Sequence, residues 1–432
     1  MTQLRVLIVV GTRPEAIKMA PVITALECRD ELVETRLALT GQHTTLVEQV
    51  LQVFDIRPDY DLDIMKEGQN LYDVVHQALE GLRGVVQDFQ PDLLLVQGDT
   101  ATVFVGSLVG FFEKIKVGHV EAGLRTNDKW APWPEEMFRR MTDVVADYHF
   151  APTHQARKAL LEENVSGSNI HVTGNTVVDA LLHISERKTQ VENETLRKVI
   201  EGGRRLVLLT AHRRESFGTP LVDIFSAVRS LADEHPDIEI VYPVHPNPNV
   251  LIPAKESLSN HPRIHLTEPL NYVDLTRAIE AADLILTDSG GIQEEAPTFG
   301  TPVLILRDVT ERTEGVEAGT ASLVGTDPSR ILVEGRRCLV DRTRSDERPP
   351  NPYGDGRAGT RIADILLANF LGCPRQTEDW VGGISLCIAC ISIPKWGVLK
   401  VMSDISVGHS WEEGTKSTLL LHYPSQAFHN TK

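Results

Sequence analysis

From Leu4 to about Leu371, short apolar runs rich in Val, Leu and Ile alternate with longer amphipathic stretches. Such runs lie at Arg5–Val10, Leu93–Gln97, Val117–Val120, Arg205–Leu209, Glu239–Pro243, Leu284–Thr287 and Val303–Leu306. Segments that are apolar on both faces and separated by helix-length spacers predict parallel strands covered by helices. The expected class is therefore α/β, doubly wound. At 432 residues the chain exceeds the ~250–300 residues over which one core keeps growing, which predicts two domains. Ser166-Gly167-Ser168 and Gly174-Asn175-Thr176 interrupt the periodicity within Asn164–Thr176. That places the seam between domains at 1–172 and 173–371. Beyond Gly372 the alternation stops, and 372–432 reads as a poorly ordered appendage holding Cys373, Cys387, Cys390, Trp380 and Trp396. Its uncharged run Trp380–Pro394, 15 residues, is too short to span a bilayer.

The polar clusters follow the strands directly. Gly11–Glu15, Gly98–Thr100, Glu121–Arg125, Ala211–Glu215, His245–Asn247 and Asp288–Gly291 each sit where one run ends. Parallel sheets bind ligands beyond the carboxyl ends of their strands, so these clusters mark the rims of two sheets facing an interdomain cleft. Composition then narrows the partner. Lys and Arg total 43 against 60 Asp and Glu, a net charge of −17, which is a poor footprint for a nucleic-acid binder. No apolar run reaches the length of a membrane helix, Met1–Val10 lacks the features of a secretion signal, and five cysteines form no disulfide framework. The expected location is the cytoplasm.

In so acidic a chain, cations aimed at a cleft point to a small bound anion such as a diphosphate. Arg13 and Lys18 fall at the first turn of the first helix, and Arg312 follows Glu311. The plainer alternative is charge pairing with Glu15 and Glu311. Ser289, Gly290 and Gly291 open a helix after a strand, where free N–H groups can face a phosphate, although an ordinary capped start would look the same. Glu294-Glu295 offers an acceptor for ribose hydroxyls one turn on. Asp99 and Glu121 stand at neighbouring strand ends, and Pro134-Glu135-Glu136 opens another helix. Glu135/Arg139 and Glu136/Arg140 share helix faces and could be surface pairs worth only ~0.2–0.5 kcal/mol each. Carboxylates converging on one cleft, however, are how acid and base acquire separate pKa values. His212 and His245 are strand-end histidines, with His212 suited to a diphosphate contact. Gly354-Asp355-Gly356-Arg357-Ala358-Gly359 imitates a dinucleotide fingerprint but follows Asn351-Pro352-Tyr353 rather than a strand. Cys387-Ile388-Ala389-Cys390 has no second pair, so no metal is implied.

These clusters, in this order, resemble the non-hydrolysing UDP-N-acetylglucosamine 2-epimerase family. The likeness covers roughly residues 4–371. It rests on Gly11-Thr12-Arg13-Pro14-Glu15-Ala16-Ile17-Lys18, Gly98-Asp99-Thr100, His119-Val120-Glu121-Ala122-Gly123-Leu124-Arg125-Thr126, Pro134-Glu135-Glu136, His212-Arg213-Arg214-Glu215, Thr287-Asp288-Ser289-Gly290-Gly291 and Asn351-Pro352-Tyr353-Gly354-Asp355-Gly356. The resemblance implies two Rossmann-like domains in a glycosyltransferase-B-type fold, with an interdomain cleft and a final helix crossing back to the first domain. It implies interconversion of UDP-N-acetylglucosamine and UDP-N-acetylmannosamine, by elimination of UDP to 2-acetamidoglucal and re-addition, with no added cofactor. It assigns nucleotide contacts to Arg13, His212, Ser289, Gly290, Gly291, Glu295 and Arg312, and catalytic carboxylates to Asp99, Glu121 and Glu135, with Lys18 and Arg139 also affecting activity. Together these readings give Asp99, Glu121, Glu135 and His212 catalytic roles, and Arg13, Lys18, Arg139, His245, Ser289, Gly290, Gly291, Glu295 and Arg312 substrate-binding roles. It further implies a homodimer serving polysaccharide biosynthesis. An allosteric second UDP-N-acetylglucosamine would lie near Gln42 and His43, where Thr44, Thr45 and Gly68 depart from the family's usual residues. Phe138 departs from a usual Asn, and Leu270 and Leu275 from a Gln and a Phe near the uracil site. The alternatives are a hydrolysing epimerase or a glycosyltransferase of the same fold, or a non-catalytic UDP-sugar-binding protein.

Overall fold

Consecutive branched apolar residues leave a strand no polar face, so it must be covered on both sides. The strands of the first sheet, clearest in this respect at β1 and β4, are β1 (Leu4–Val10), β2 (Val33–Leu39), β3 (Tyr60–Asp61), β4 (Leu93–Gln97), β5 (Lys116–Val120), β6 (Tyr148–Ala151) and β7 (Ile170–Val172). They are followed by β8 (Arg205–Thr210), β9 (Ile238–Pro243), β10 (Ile264–Thr267), β11 (Ala282–Thr287), β12 (Val303–Ile305) and β13 (Ala321–Leu323). The structure, a computed structural model, describes residues 3–41, 44–66, 68–340 and 349–382. Among these residues the strands form two parallel sheets ordered β3-β2-β1-β4-β5-β6-β7 and β10-β9-β8-β11-β12-β13. This is the glycosyltransferase-B-type pairing of two Rossmann-like sheets. Strand order reverses between β1 and β4, where Ile8 lies beside Leu95, and between β8 and β11, where Leu208 lies beside Ile285. These switch points are where the strand-end clusters gather.

Each sheet has apolar layers on both faces. β1 alone sends Val6, Ile8 and Val10 into one core and Leu7 and Val9 into the other. Both the helix Thr176–Arg187 and the final helix Ala358–Leu371 belong to the first of these cores, through Val177, Leu181, Ile362 and Leu366 among others. Sheet membership changes after Val172, but packing does not follow it. A chain cut between 172 and 173 would sever Thr176–Arg187 from the core that buries it. The final helix crosses the first helix, Arg13–Glu27, so closely that a Cβ on Gly359 would lie 2.6 Å from the Pro21 carbonyl oxygen. Asp179 accepts the Ala358 and Gly359 N–H groups at 3.1 and 2.9 Å, satisfying orphan donors at that helix start.

The expectation of disorder from 372 onward is corrected for 372–382. Trp380 N–H donates to the Val172 carbonyl and Asp379 accepts the Val172 N–H, so this segment continues along the end of β7. Asp364 accepts the N–H groups of Gln376 and Thr377, and the Arg361 guanidinium lies over the Trp380 ring at 5.6 Å. Backbone pairing at a sheet edge and one cation–π contact supply what the missing apolar periodicity does not. Cys387 and Cys390 lie outside the described residues, as do Gln42 and His43. Among the described residues, no helix is long and apolar enough to cross a membrane.

Candidate active site

Acidic and basic side chains that follow strands of both sheets meet end to end. Glu121 follows β5 and Asp99 follows β4, while Lys18 lies in the helix after β1, one turn deeper than its sequence position suggested. Glu294 belongs to the short helix Gly290–Glu295 after β11, and Arg312 precedes the helix Thr313–Glu317. Lys18 Nζ sits 2.5 Å from Glu121 Oε1 and 3.4 Å from Glu294 Oε2. Arg312 Nε donates to Glu294 Oε1 at 2.8 Å, and its Nη1 pairs with Glu311. A row of alternating charges thus runs from the first sheet to the second. Such pairs are needed because Glu294 is 2% exposed and a lone buried charge costs several kcal/mol. Burial would raise Glu294, but Lys18 and Arg312 outweigh it and hold the carboxyl below its usual range. Burial would lower Lys18, and Glu121 and Glu294 more than reverse that.

A cavity of about 190 Å³ opens beside this row. Its lining includes Lys18, Asp99, Glu121, Arg139 and Arg312. Asp99 is paired with the Arg139 guanidinium, which also approaches Glu136 at 3.4 Å. The helix pairs expected from spacing are therefore rearranged. Glu136 is fully buried, accepts the Thr126 and Asn127 N–H groups, and faces both Arg139 and Arg140. Arg139 turns to Asp99 rather than to Glu135. Glu135 is half-buried at the first position of the helix Glu135–Val145, outside the lining of this cavity. Phe138 on the same helix stacks on Phe104, with centroids 5.2 Å apart, and belongs to the apolar core of the first sheet.

Glu121 has φ of 68°, a left-handed conformation that disfavours side chains other than Gly, Asn and Asp. Three donors hold it: Lys18, Asn175 and Gln97. Its strand also carries His119, fully buried, whose Nδ1 lies 2.6 Å from Asp143 and whose Nε2 lies 2.7 Å from the Gly98 carbonyl. That contact fixes the peptide preceding Asp99. Asp143 also receives Arg125, and although burial pushes it up, His119 and Arg125 bring it to about 2.

On the second sheet, His212 and His245 stack with centroids 5.7 Å apart. Asp288 accepts the His212 and Arg213 N–H groups at 2.7 and 2.8 Å, fixing the loop after β8. Burial lowers His212, against the pull of Asp288. Ser289 is the N-cap residue of the helix that Gly290 and Gly291 open, and the Arg312 guanidinium lies against Gly290, where a Cβ would be 2.6 Å from Arg312 Cζ. Ser289, Gly290, Gly291 and Glu295 stand outside the cavity lining, on the adjoining rim. Arg312 pairs with Glu311, as its neighbour in sequence allowed, but also with Glu294. Arg13 does not pair with Glu15. Glu15 instead accepts Gly11 N–H and Thr12 Oγ1–H, both at 2.7 Å, while Arg13 faces Glu295 and Tyr272.

Glu15 and Glu295 both sit near 7, raised first by burial, with Glu294 adding to the rise at Glu295. Between about 4.5 and 7 the folded chain holds protons on these groups that the unfolded chain has released, so folding takes up protons there. Stability should therefore fall as pH rises from 5 to 8. Glu295→Gln should raise the melting temperature at pH 8 and flatten the slope, an effect of up to about 3 kcal/mol at ~1.4 kcal/mol per pKa unit. Melting curves across that range check it; a variant no more stable than wild type at pH 8 contradicts it.

Comparison with known proteins follows the same outline. The UDP-N-acetylglucosamine 2-epimerase family profile matches residues 26–367. A probable UDP-N-acetylglucosamine 2-epimerase of Ralstonia solanacearum is 48% identical over 374 residues, spanning 85% of this chain and 99% of its own. The crystal structure of a putative UDP-N-acetylglucosamine 2-epimerase from Listeria monocytogenes superposes with a TM-score of 0.81 at 44% identity, covering 88% of this chain and 100% of its own. A Neisseria meningitidis UDP-GlcNAc 2-epimerase, crystallised bound to UDP-GlcNAc, superposes at 0.76 and 43% identity, covering 85% of this chain and 100% of its own.

Proposed function

The chain belongs to the UDP-N-acetylglucosamine 2-epimerase family, and from that premise we propose that it interconverts UDP-N-acetylglucosamine and UDP-N-acetylmannosamine without hydrolysis. The C2 hydrogen of the sugar is not acidic in the ground state, because no carbonyl adjoins it. Breaking the C1–O bond changes that. As UDP departs with the bonding electron pair, oxocarbenium character develops at C1, and a carboxylate can take the C2 proton. The C–H electron pair then forms the C1=C2 bond of 2-acetamidoglucal. Re-addition of the UDP oxygen to C1, with protonation of C2 from the opposite face, gives the epimer.

The observation that carries this reading is one cavity shared by Asp99 and Glu121 from the first sheet and Arg312 from the second. Arg312 and Lys18 supply positive charge where the diphosphate oxygen becomes anionic, an electrostatic role for preorganised groups. Asp99 and Glu121 supply acid–base groups, and Glu135 is the third carboxylate on the strength of the family resemblance. His212, Ser289, Gly290, Gly291 and Glu295 would hold the nucleotide, with Arg13 and His245 beside them. The reading carries with it a cytoplasmic homodimer.

Purified protein given UDP-N-acetylglucosamine in deuterated water should incorporate deuterium at C2 and reach a mixture of two UDP-sugars, followed by NMR. Free N-acetylmannosamine with UDP as the main products would make it a hydrolase, and unchanged substrate would make it a binding protein.

A further inference from the structure

Asn175 stands where the chain leaves the first sheet, 3% exposed, and it is fixed at several points. Its Oδ1 accepts the Val177 N–H at 3.0 Å, capping the helix Thr176–Arg187. Its backbone N–H donates to the Tyr353 carbonyl at 2.7 Å. Because the amide oxygen is committed to the cap, the NH2 group must point the other way. There it meets two carboxylates: Glu121 Oε1 at 3.2 Å and Glu294 Oε2 at 3.1 Å. An amide nitrogen carries two hydrogens, so each carboxylate can receive one.

We propose that Asn175 is a positioning residue for the epimerisation, aiming Glu121 at C2 and tying that aim to the Glu294–Arg312 pair that faces the nucleotide. The inference rests on the epimerase reading above. Glu121 adopts a left-handed backbone conformation that persists only when its surroundings impose it. Gln97 holds Oε2, while Lys18 and Asn175 share Oε1. Lys18 is a flexible point charge divided between Glu121 and Glu294. The amide of Asn175 is rigidly held and joins the same two carboxylates, so it sets the geometry that the lysine neutralises. Sequence reading took Gly174-Asn175-Thr176 only as an interruption between domains. Gly174, at φ 83°, brings the backbone close to Gly354, where a Cβ would be 3.3 Å from the Gly354 Cα.

Asn175→Ser separates the two roles of the side chain, since serine keeps a helix cap and lacks both N–H donors. Asn175→Asp keeps size and cap but sets an acceptor against two carboxylates. The readouts are the initial rate of deuterium incorporation at C2, UDP affinity by calorimetry, and melting temperature. Asn175→Ser should lose about 10- to 100-fold in C2 exchange, the scale of a small misplacement at a reacting centre. UDP affinity should stay within about threefold, and Asn175→Asp should lose more exchange than Asn175→Ser. If wild type exchanges and Asn175→Ser matches it within twofold, the inference is overturned. Loss of exchange and of UDP affinity by the same factor also overturns it, in favour of a structural role. Should one variant not fold, the other decides. A wild type that incorporates no deuterium overturns the epimerase reading itself, and this inference with it.

Discussion

Glutamine in place of Glu121 is expected to lower turnover by about 10²- to 10⁴-fold, the range contributed by a positioned acid or base. The change is conservative in shape and severe in chemistry. Both oxygens of Glu121 already receive donors, Lys18 and Asn175 on one and Gln97 on the other. Whichever way the new amide turns, its NH2 faces an N–H or ammonium donor. That leaves a buried donor unmatched, at about 1–3 kcal/mol. A drop in melting temperature should therefore accompany the loss of rate. Affinity for UDP should change little, because under this reading most nucleotide contacts come from the second sheet, and the two cations that do not, Arg13 and Lys18, keep their charge. Steady-state rates and calorimetric titration with UDP test this together. Equal losses in rate and affinity would reassign Glu121 from chemistry to binding.

Arg312→Ala should give the opposite ratio, with UDP affinity falling about 10- to 100-fold, in keeping with the ~1.5–3 kcal/mol contributed by hydrogen bonds to charged groups. Stability should fall as well. Without the guanidinium, Glu294 retains Lys18 as its cation among the described residues, and Glu311 retains Arg307. Removing one partner of a buried pair costs ~3–5 kcal/mol. Burial pushes Glu311 up, and it sits near 2 because Arg312 first, and Arg307 after it, pull it down. Lysine should rescue little, since it cannot serve Glu294 and Glu311 with a planar fork while lying flat on Gly290. Unchanged UDP affinity in Arg312→Ala would remove Arg312 from the nucleotide contacts.

Much of this was legible because its signals are local. Strands apolar on both faces declare a covered parallel sheet, and a polar cluster after such a strand lies on the binding rim wherever the chain goes next. Asp99 and Glu121 were reachable in that way, and Lys18 and Arg312 as cations close to such clusters, whereas the sequence offers Arg139 only as a helix-spaced partner of Glu135 and through the family resemblance. What escaped depends on partners far along the chain. Glu294 and Glu295 are adjacent and look alike in sequence. Only the arrival of Lys18 and Arg312 draws Glu294 into the ion row and leaves Glu295 raised beside Arg13. Glu15 looked like a partner for Arg13, yet the turn at Gly11 and Thr12 claims it. The Asn351-Pro352-Tyr353 segment served to discard a false dinucleotide pattern and as a family motif, with no contact foreseen for it. In the fold, the Tyr353 hydroxyl accepts Gly315 N–H and donates to the Arg312 carbonyl, and Asn351 reaches the Glu294 carbonyl. Residues 372–382 hold together by edge pairing, which leaves no periodic trace.

The chain leaves the last strand of the first sheet just before Asn175 and rejoins the first core at Tyr353, and one backbone hydrogen bond of 2.7 Å ties these two segments together. Lobes pinned at a single point could swivel in any direction. Here two segments lie side by side and are bonded to each other, a join that resists twisting of one sheet against the other more than a lone crossing would.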